Sequence, residues 1–290
     1  MSQPAPLHGK TALITGVSRR KGIGYGIAVR LAELGADIVI QHYAPHDREQ
    51  PWGADDLDQV RAGIRAALAD GAAFADTEAD LSDPTQPQAL MDNAVQLTGG
   101  VDILVCNHAK SGGDGSIFDM TPDTLDAYWH TNTRSTLLLT RYFAEHFSPA
   151  EPAAAFPGQR QERSATDEHA TGRVIWMTSG QQDGPMSGEI AYATSKAALA
   201  GITASVAAEL LARGIVLNTV NPGPVNTGYL DPETTDRDLT EVTATIEATP
   251  FRRFGAPADP ARLIGWLVSD AGRWVVGQTI KSDGGFDLWR

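Results

Sequence analysis

Thr11-Ala12-Leu13-Ile14-Thr15-Gly16-Val17-Ser18-Arg19-Arg20-Lys21-Gly22-Ile23-Gly24 is the stretch on which the fold turns. A short apolar run ends in spaced glycines and passes into an amphipathic stretch from Gly24 to Leu34, so a strand is followed at once by a helix. Asp37-Ile38-Val39-Ile40 is the next apolar run, and the same rhythm continues downstream. Strands are expected at Ala72 to Ala75, Val101 to Cys106, Arg173 to Thr178, Ile215 to Val220 and Thr279 to Ser282. Helices are expected at Leu57 to Ala69, Pro87 to Leu97, Thr121 to Phe147, Tyr192 to Ala212 and Pro257 to Leu267. About seven strands alternating with helices predict an α/β fold with a parallel sheet covered on both faces.

Composition narrows the function. Lys+Arg 23 against Asp+Glu 36 gives a net charge of −13, which repels nucleic-acid backbones and anionic lipid. Cys106 is the one cysteine, which excludes an intrachain disulfide, and its apolar setting reads as a buried filler and not a nucleophile. His42 and His46 lie four apart without a third suitably spaced ligand, so no metal is expected. The N-terminus lacks a basic segment followed by an apolar core, and no apolar run reaches the ~20 residues of a membrane span. A cytoplasmic protein is the expectation. Two irregular stretches interrupt the rhythm: 148 to 171, a polar and proline-bearing surface loop, and 225 to 249, which follows a strand and suits a substrate lid.

Gly16, Gly22 and Gly24 sit between the first strand and the first helix, where missing side chains let backbone amides approach a pyrophosphate at the helix N-terminus. The intervening Ser18, Arg19, Arg20 and Lys21 are a basic cluster on an acidic chain and suit a ribose 2′-phosphate. The second strand ends Gln41-His42-Tyr43, with no carboxylate where an NAD-type ribose would need one. Both features favour NADP(H).

Tyr192 and Lys196, at the start of a long helix, are four apart and therefore share a face. A cation beside a phenol lowers its pKa toward neutrality, which suits proton transfer to a carbonyl oxygen as hydride reaches carbon. Ser179 ends a strand thirteen residues before Tyr192, and Asn132 lies in the preceding long helix.

Asn132, Ser179, Tyr192 and Lys196, in this order and at these intervals, resemble the catalytic tetrad of the short-chain dehydrogenase/reductase family, 3-oxoacyl reductase-like members included. The resemblance implies a Rossmann-type doubly wound single domain over 1–290. It implies that Lys196 also holds the nicotinamide ribose, that Ser179 bonds the substrate oxygen and that Asn132 anchors a proton relay. The glycine segment resembles the family's, with Ile23 between its last two glycines, but five residues replace the usual three between Gly16 and Gly22. Asp80-Leu81 resembles the family's adenine-contacting pair. Asn107 matches a bracing asparagine beside the cofactor. Asn221-Pro222-Gly223-Pro224-Val225-Asn226-Thr227 resembles the segment meeting the nicotinamide carboxamide, with Pro222, Gly223, Val225 and Thr227 as candidate contacts. The resemblance excludes only the 148 to 171 loop and Ala44 to Asp56, and it implies a homodimer or homotetramer paired through the two long helices.

The expectation is a cofactor-dependent reduction of a ketone to a secondary alcohol, or the reverse. A 3-oxoacyl thioester or a secondary-metabolite ketone is the family-average substrate. Two rivals stay open: an NAD(H)-linked alcohol or sugar dehydrogenase, and a dinucleotide-binding sensor or scaffold without turnover. His108 and Lys110 stand at the crevice edge where substrate would lie, and Trp52 reads as a loop anchor.

Overall fold

Alternate residues of an extended strand point to opposite faces, and the apolar residues of this chain fill both. In the computed structural model, which describes residues 5–147, 171–235 and 238–289, β1 (Thr11–Ile14), β4 (Ile103–Cys106), β5 (Gly172–Met177) and β6 (Ile215–Asn221) are buried along their whole length. With β2 (Asp37–His42), β3 (Phe74–Glu78) and β7 (Thr279–Lys281) they form one seven-stranded sheet in the order β3-β2-β1-β4-β5-β6-β7. Every pairing is parallel.

On one face Ile14, Ile38, Val105 and Ile175 pack against α1 (Ile23–Glu33), α3 (Leu57–Ala67) and α9 (Ala258–Val268) through Ile27, Ile64 and Ile264. On the other, Leu13, Val39, Leu104 and Leu217 meet α4 (Gln86–Thr98), α6 (Ser135–His146) and α7 (Ile190–Leu211) through Leu90, Leu139 and Leu199. Cys106 belongs to that second core, and burial pushes its thiol pKa up, so it is an inert filler.

The strand order reverses between β1 and β4, and a crevice opens where their carboxyl ends diverge. Asn107 spans it, donating from Nδ2 to the carbonyls of Thr15 at 3.1 Å and Gly16 at 3.2 Å.

Three expectations need correction. The third strand runs Phe74–Glu78, not Ala72 to Ala75: register against Ile38 to His42 sets it, and its polar Asp76-Thr77-Glu78 carries no apolar signal. Asp76 is accommodated at this edge by Arg61 and His42. The expected helix Thr121 to Phe147 divides into α5 (Pro122–Tyr128), a π-helical turn (Trp129–Arg134) and α6. The wider turn lets Asn132 and Thr133, adjacent in sequence, both reach Ser195 on α7. Ala44 to Asp56, the stretch that the resemblance does not cover, begins with a short helix, α2 (Ala44–Arg48). The proposed lid from 225 to 249 carries a helix of its own, α8 (Thr240–Ala248). The loop from 148 lies outside the described residues as far as 170. No helix among the described residues is long and apolar enough to cross a membrane.

Candidate active site

The carboxyl ends of the central strands open into a cavity of about 640 Å³. Each strand delivers one wall: Gly16 after β1, Asn107 after β4, Ser179 after β5, Pro222 and Gly223 after β6.

Tyr192 and Lys196, one helical turn apart on α7, both line it, with the Lys196 Nζ 5.8 Å from the Tyr192 ring centroid. Lys196 is 2% exposed and donates to the Met177 carbonyl at 2.9 Å. Burial withdraws water from its ammonium and brings its pKa down to about 8. Asn132 does not reach the cavity. It is fully buried behind it, where Oδ1 accepts from the Lys110 amide at 2.6 Å and Nδ2 donates to Ser195 Oγ at 2.9 Å. Its side chain thus ties the loop after β4 to the helix that carries Tyr192 and Lys196.

The glycine loop fits a dinucleotide. Gly16 has φ +71°, and a Cβ there would stand 2.7 Å from the His108 Cα. Gly24 does not line the cavity; a Cβ on it would meet Asn107 Nδ2 and the Gly16 carbonyl at 2.6 Å, so its role is to let α1 approach the strand. Gly22, the N-cap of α1, offers no side-chain cap, which leaves the first-turn amides to an anion. Gly22, Ile23, Asp80, Leu81, Val225 and Thr227 line the same cavity. Gly223 has φ +66°, with Asp283 Cα 2.5 Å from its notional Cβ, so any side chain there would break the turn.

The two additional loop residues divide the basic cluster. Ser18 and Arg19 face the cavity. Arg20 turns away: its amide donates to Asp55 at 2.7 Å and its guanidinium lies 3.7 Å from the same carboxylate, while Lys21 pairs with Asp231. Arg20, expected at the cofactor, thus does not line the cavity and pairs with Asp55 beside it.

Sequence reading missed Asp47. Gln41, at the end of β2, is spent on bracing, with Oε1 accepting from the Gly16 amide at 2.9 Å and Nε2 donating to the Ala79 carbonyl at 2.7 Å. Helix α2 then folds Asp47 back into the cavity wall, where it accepts from Ser18 Oγ and sits 3.2 Å from Arg19 Nε. Arg19 also donates to the Thr227 carbonyl at 2.7 Å and lies 5.6 Å over the Trp52 ring. Trp52 faces the cavity as well as anchoring its loop, since its ring meets Tyr229 edge-on at 6.4 Å.

His108 lines the cavity, but both of its ring nitrogens are engaged within the protein. Its Nε2 faces the Thr131 carbonyl at 3.0 Å and Ser135 Oγ at 2.7 Å, and its Nδ1 faces Thr15 Oγ1 at 2.7 Å. A carbonyl only accepts, so the proton belongs on Nε2. Burial and the neighbouring Lys196 bring its pKa down to about 3 and hold the ring neutral.

A family profile described as enoyl-(acyl carrier protein) reductase matches residues 16–287. An uncharacterized oxidoreductase of Bacillus subtilis is 32% identical over 278 residues, 96% of each chain. A protein of Arabidopsis thaliana named as an NADPH-dependent aldehyde reductase-like chloroplastic protein is 32% identical, covering 98% of this chain and 96% of its own length. Among solved structures, a short-chain dehydrogenase of Burkholderia cenocepacia in complex with NADP superposes with a TM-score of 0.76 at 31% identity, over 97% of this chain and 99% of the other.

Proposed function

This chain belongs to the short-chain dehydrogenase/reductase family of oxidoreductases, and we propose that it reduces a ketone to a secondary alcohol, with NADP(H) as the favoured cofactor and Tyr192 as the proton donor. One observation carries the reading: Ser179, Tyr192 and Lys196 line one cavity together with the glycine loop. The bound dinucleotide supplies hydride. Carbonyl reduction then needs a proton and a hydrogen bond at the oxygen, and that is what this wall offers. The Tyr192 hydroxyl donates the proton to the carbonyl oxygen. Lys196, fixed by the Met177 carbonyl, favours the phenolate left behind. Ser179 steadies the substrate oxygen. Asn132 acts from behind, by holding the Lys110 backbone and Ser195.

NADP(H) is supported by Ser18 and Arg19 in the cavity wall, by the name of the Arabidopsis relative and by the NADP-bound Burkholderia structure. Working use of NAD(H) is favoured by one feature, the Asp47 carboxylate that engages both Ser18 and Arg19. A 3-oxoacyl thioester or a similar ketone is the substrate class in keeping with the family. Tyr192→Phe decides the mechanism: ketone-dependent NADPH oxidation is expected to fall by at least about a thousandfold while cofactor binding persists. Turnover near the wild-type rate in that variant overturns the assignment.

The chain is also proposed to pair through α5 and α7. Leu125 and Trp129 are 39% and 44% exposed and border a hollow shared with Ala191 and Thr194.

A further inference from the structure

We propose that Asp114 is a positioning residue for Tyr192, acting through the main chain of α7; the inference rests on Tyr192 being the proton donor. Helix α7 begins at Ile190, and its N-cap residue Glu189 supplies no side-chain cap. The cap comes instead from the loop after β4. Asp114 Oδ2 accepts from the amide of Tyr192 itself at 2.7 Å, and Oδ1 accepts from the amides of Ala191 at 3.1 Å and Gly115 at 2.8 Å. A carboxylate suits this place because it has two oxygens for successive amides and its charge complements the positive end of the helix.

The same loop holds Tyr192 from a second side. The Gly112 carbonyl accepts from the Tyr128 hydroxyl at 2.7 Å, and the buried Tyr128 ring meets the Tyr192 ring edge-on, with centroids 6.4 Å apart and planes at 82°. Farther back, Lys110 is fixed by Asn132 at both its amide and its carbonyl. The segment from Lys110 to Gly115 is thus a brace whose fixed end is Asn132 and whose working end is the root and ring of Tyr192.

An ordinary cap would serve the stability of the helix. This helix has 22 residues and is anchored in the core by Leu199, Ala207 and Leu210, so it persists without one. What Asp114 fixes is its first turn, where a displacement of the phenol misaligns proton transfer.

The test is Asp114→Ala and Asp114→Asn, with ketone turnover, ketone KM, NADPH binding followed by nucleotide fluorescence, and melting temperature measured on each. Asp114→Ala is expected to lower kcat about tenfold or more, with KM and the NADPH dissociation constant within about twofold. Asp114→Asn, isosteric and keeping one acceptor oxygen, is expected to fall between Asp114→Ala and wild type, and it carries the same test if the alanine variant does not fold. Wild-type kcat in both variants overturns the proposal. So does a loss of kcat matched by an equal loss of NADPH affinity, or by unfolding at the assay temperature, since a purely structural cap would do that. Tyr192→Phe run in parallel separates the two readings. If that variant keeps turnover, the assignment of Tyr192 fails; if it is inactive while Asp114→Ala matches wild type, only the brace fails.

Discussion

The Asp47 carboxylate lies 3.2 Å from Nε of Arg19, and the side chain that provides it belongs to a helix inserted after β2. The pair places opposite charges side by side in the cavity wall, where the proposed NADP(H) reading puts a ribose 2′-phosphate beside Arg19. An incoming phosphate gains from Arg19 and is repelled by Asp47.

Asp47→Asn removes the repulsion and retains a hydrogen-bonding group beside Ser18 and Arg19. Its affinity for NADPH is expected to rise about five- to tenfold relative to NADH, an energy of roughly 1 kcal/mol. Fluorescence titration of both nucleotides measures the ratio. An unchanged or reversed ratio means that Asp47 serves only to orient Arg19.

Lys196 has a pKa of about 8, lowered by burial, so its positive charge is lost as pH rises through that value. The kcat for ketone reduction at saturating cofactor is expected to decline along a limb centred near pH 8. Lys196→Met should lose about a hundredfold or more in kcat and flatten this limb, because the titrating cation is gone. A limb of the same shape in the variant would assign the titration to another group.

His108 makes stability depend on acid. Its pKa is about 3 in the folded protein against an ordinary 6.5, so below about pH 6.5 the unfolded chain takes up a proton that the native state refuses. Stability from this group is complete above that pH and is lost toward pH 3, at about 1.4 kcal/mol per pH unit. His108→Gln should make the fall in unfolding free energy between about pH 6 and pH 4 shallower by close to that slope, as read from urea midpoints. Parallel pH dependences would show that His108 is not the group responsible.

Trp129, half exposed beside Leu125 and α7, offers a test of assembly. Trp129→Glu should shift the sedimentation profile to monomer, because a desolvated carboxylate at the centre of a paired surface opposes association by several kcal/mol. An assembly unaffected by the charge would place the interface elsewhere.

The one-dimensional pattern was sufficient for the sheet. Apolar runs such as Leu13 to Ile14 and Ile103 to Cys106, separated by amphipathic helices, can bury both faces only as a parallel, helix-covered sheet, and the seven strands have that arrangement. Tyr192 and Lys196 were also legible, since helical spacing alone puts residues four apart on one face, and Ser179 was legible as a residue just past a buried strand, which the structure ends at Met177. What chain order does not carry is the partner of a side chain from a distant segment. Whether Arg20 meets a ligand or Asp55, whether a carboxylate reaches Arg19, and whether Asn132 lines the cavity or stands behind it all depend on contacts closed by folding. The π-helical turn at Trp129–Arg134 and the register of β3 belong to the same class, because hydrogen bonds to α7 and pairing with β2 set them against weak local preferences. Periodicity is a property of neighbours along the chain and fixes the scaffold; charge pairing and hydrogen bonding are properties of neighbours in space, and only the tertiary structure decided them.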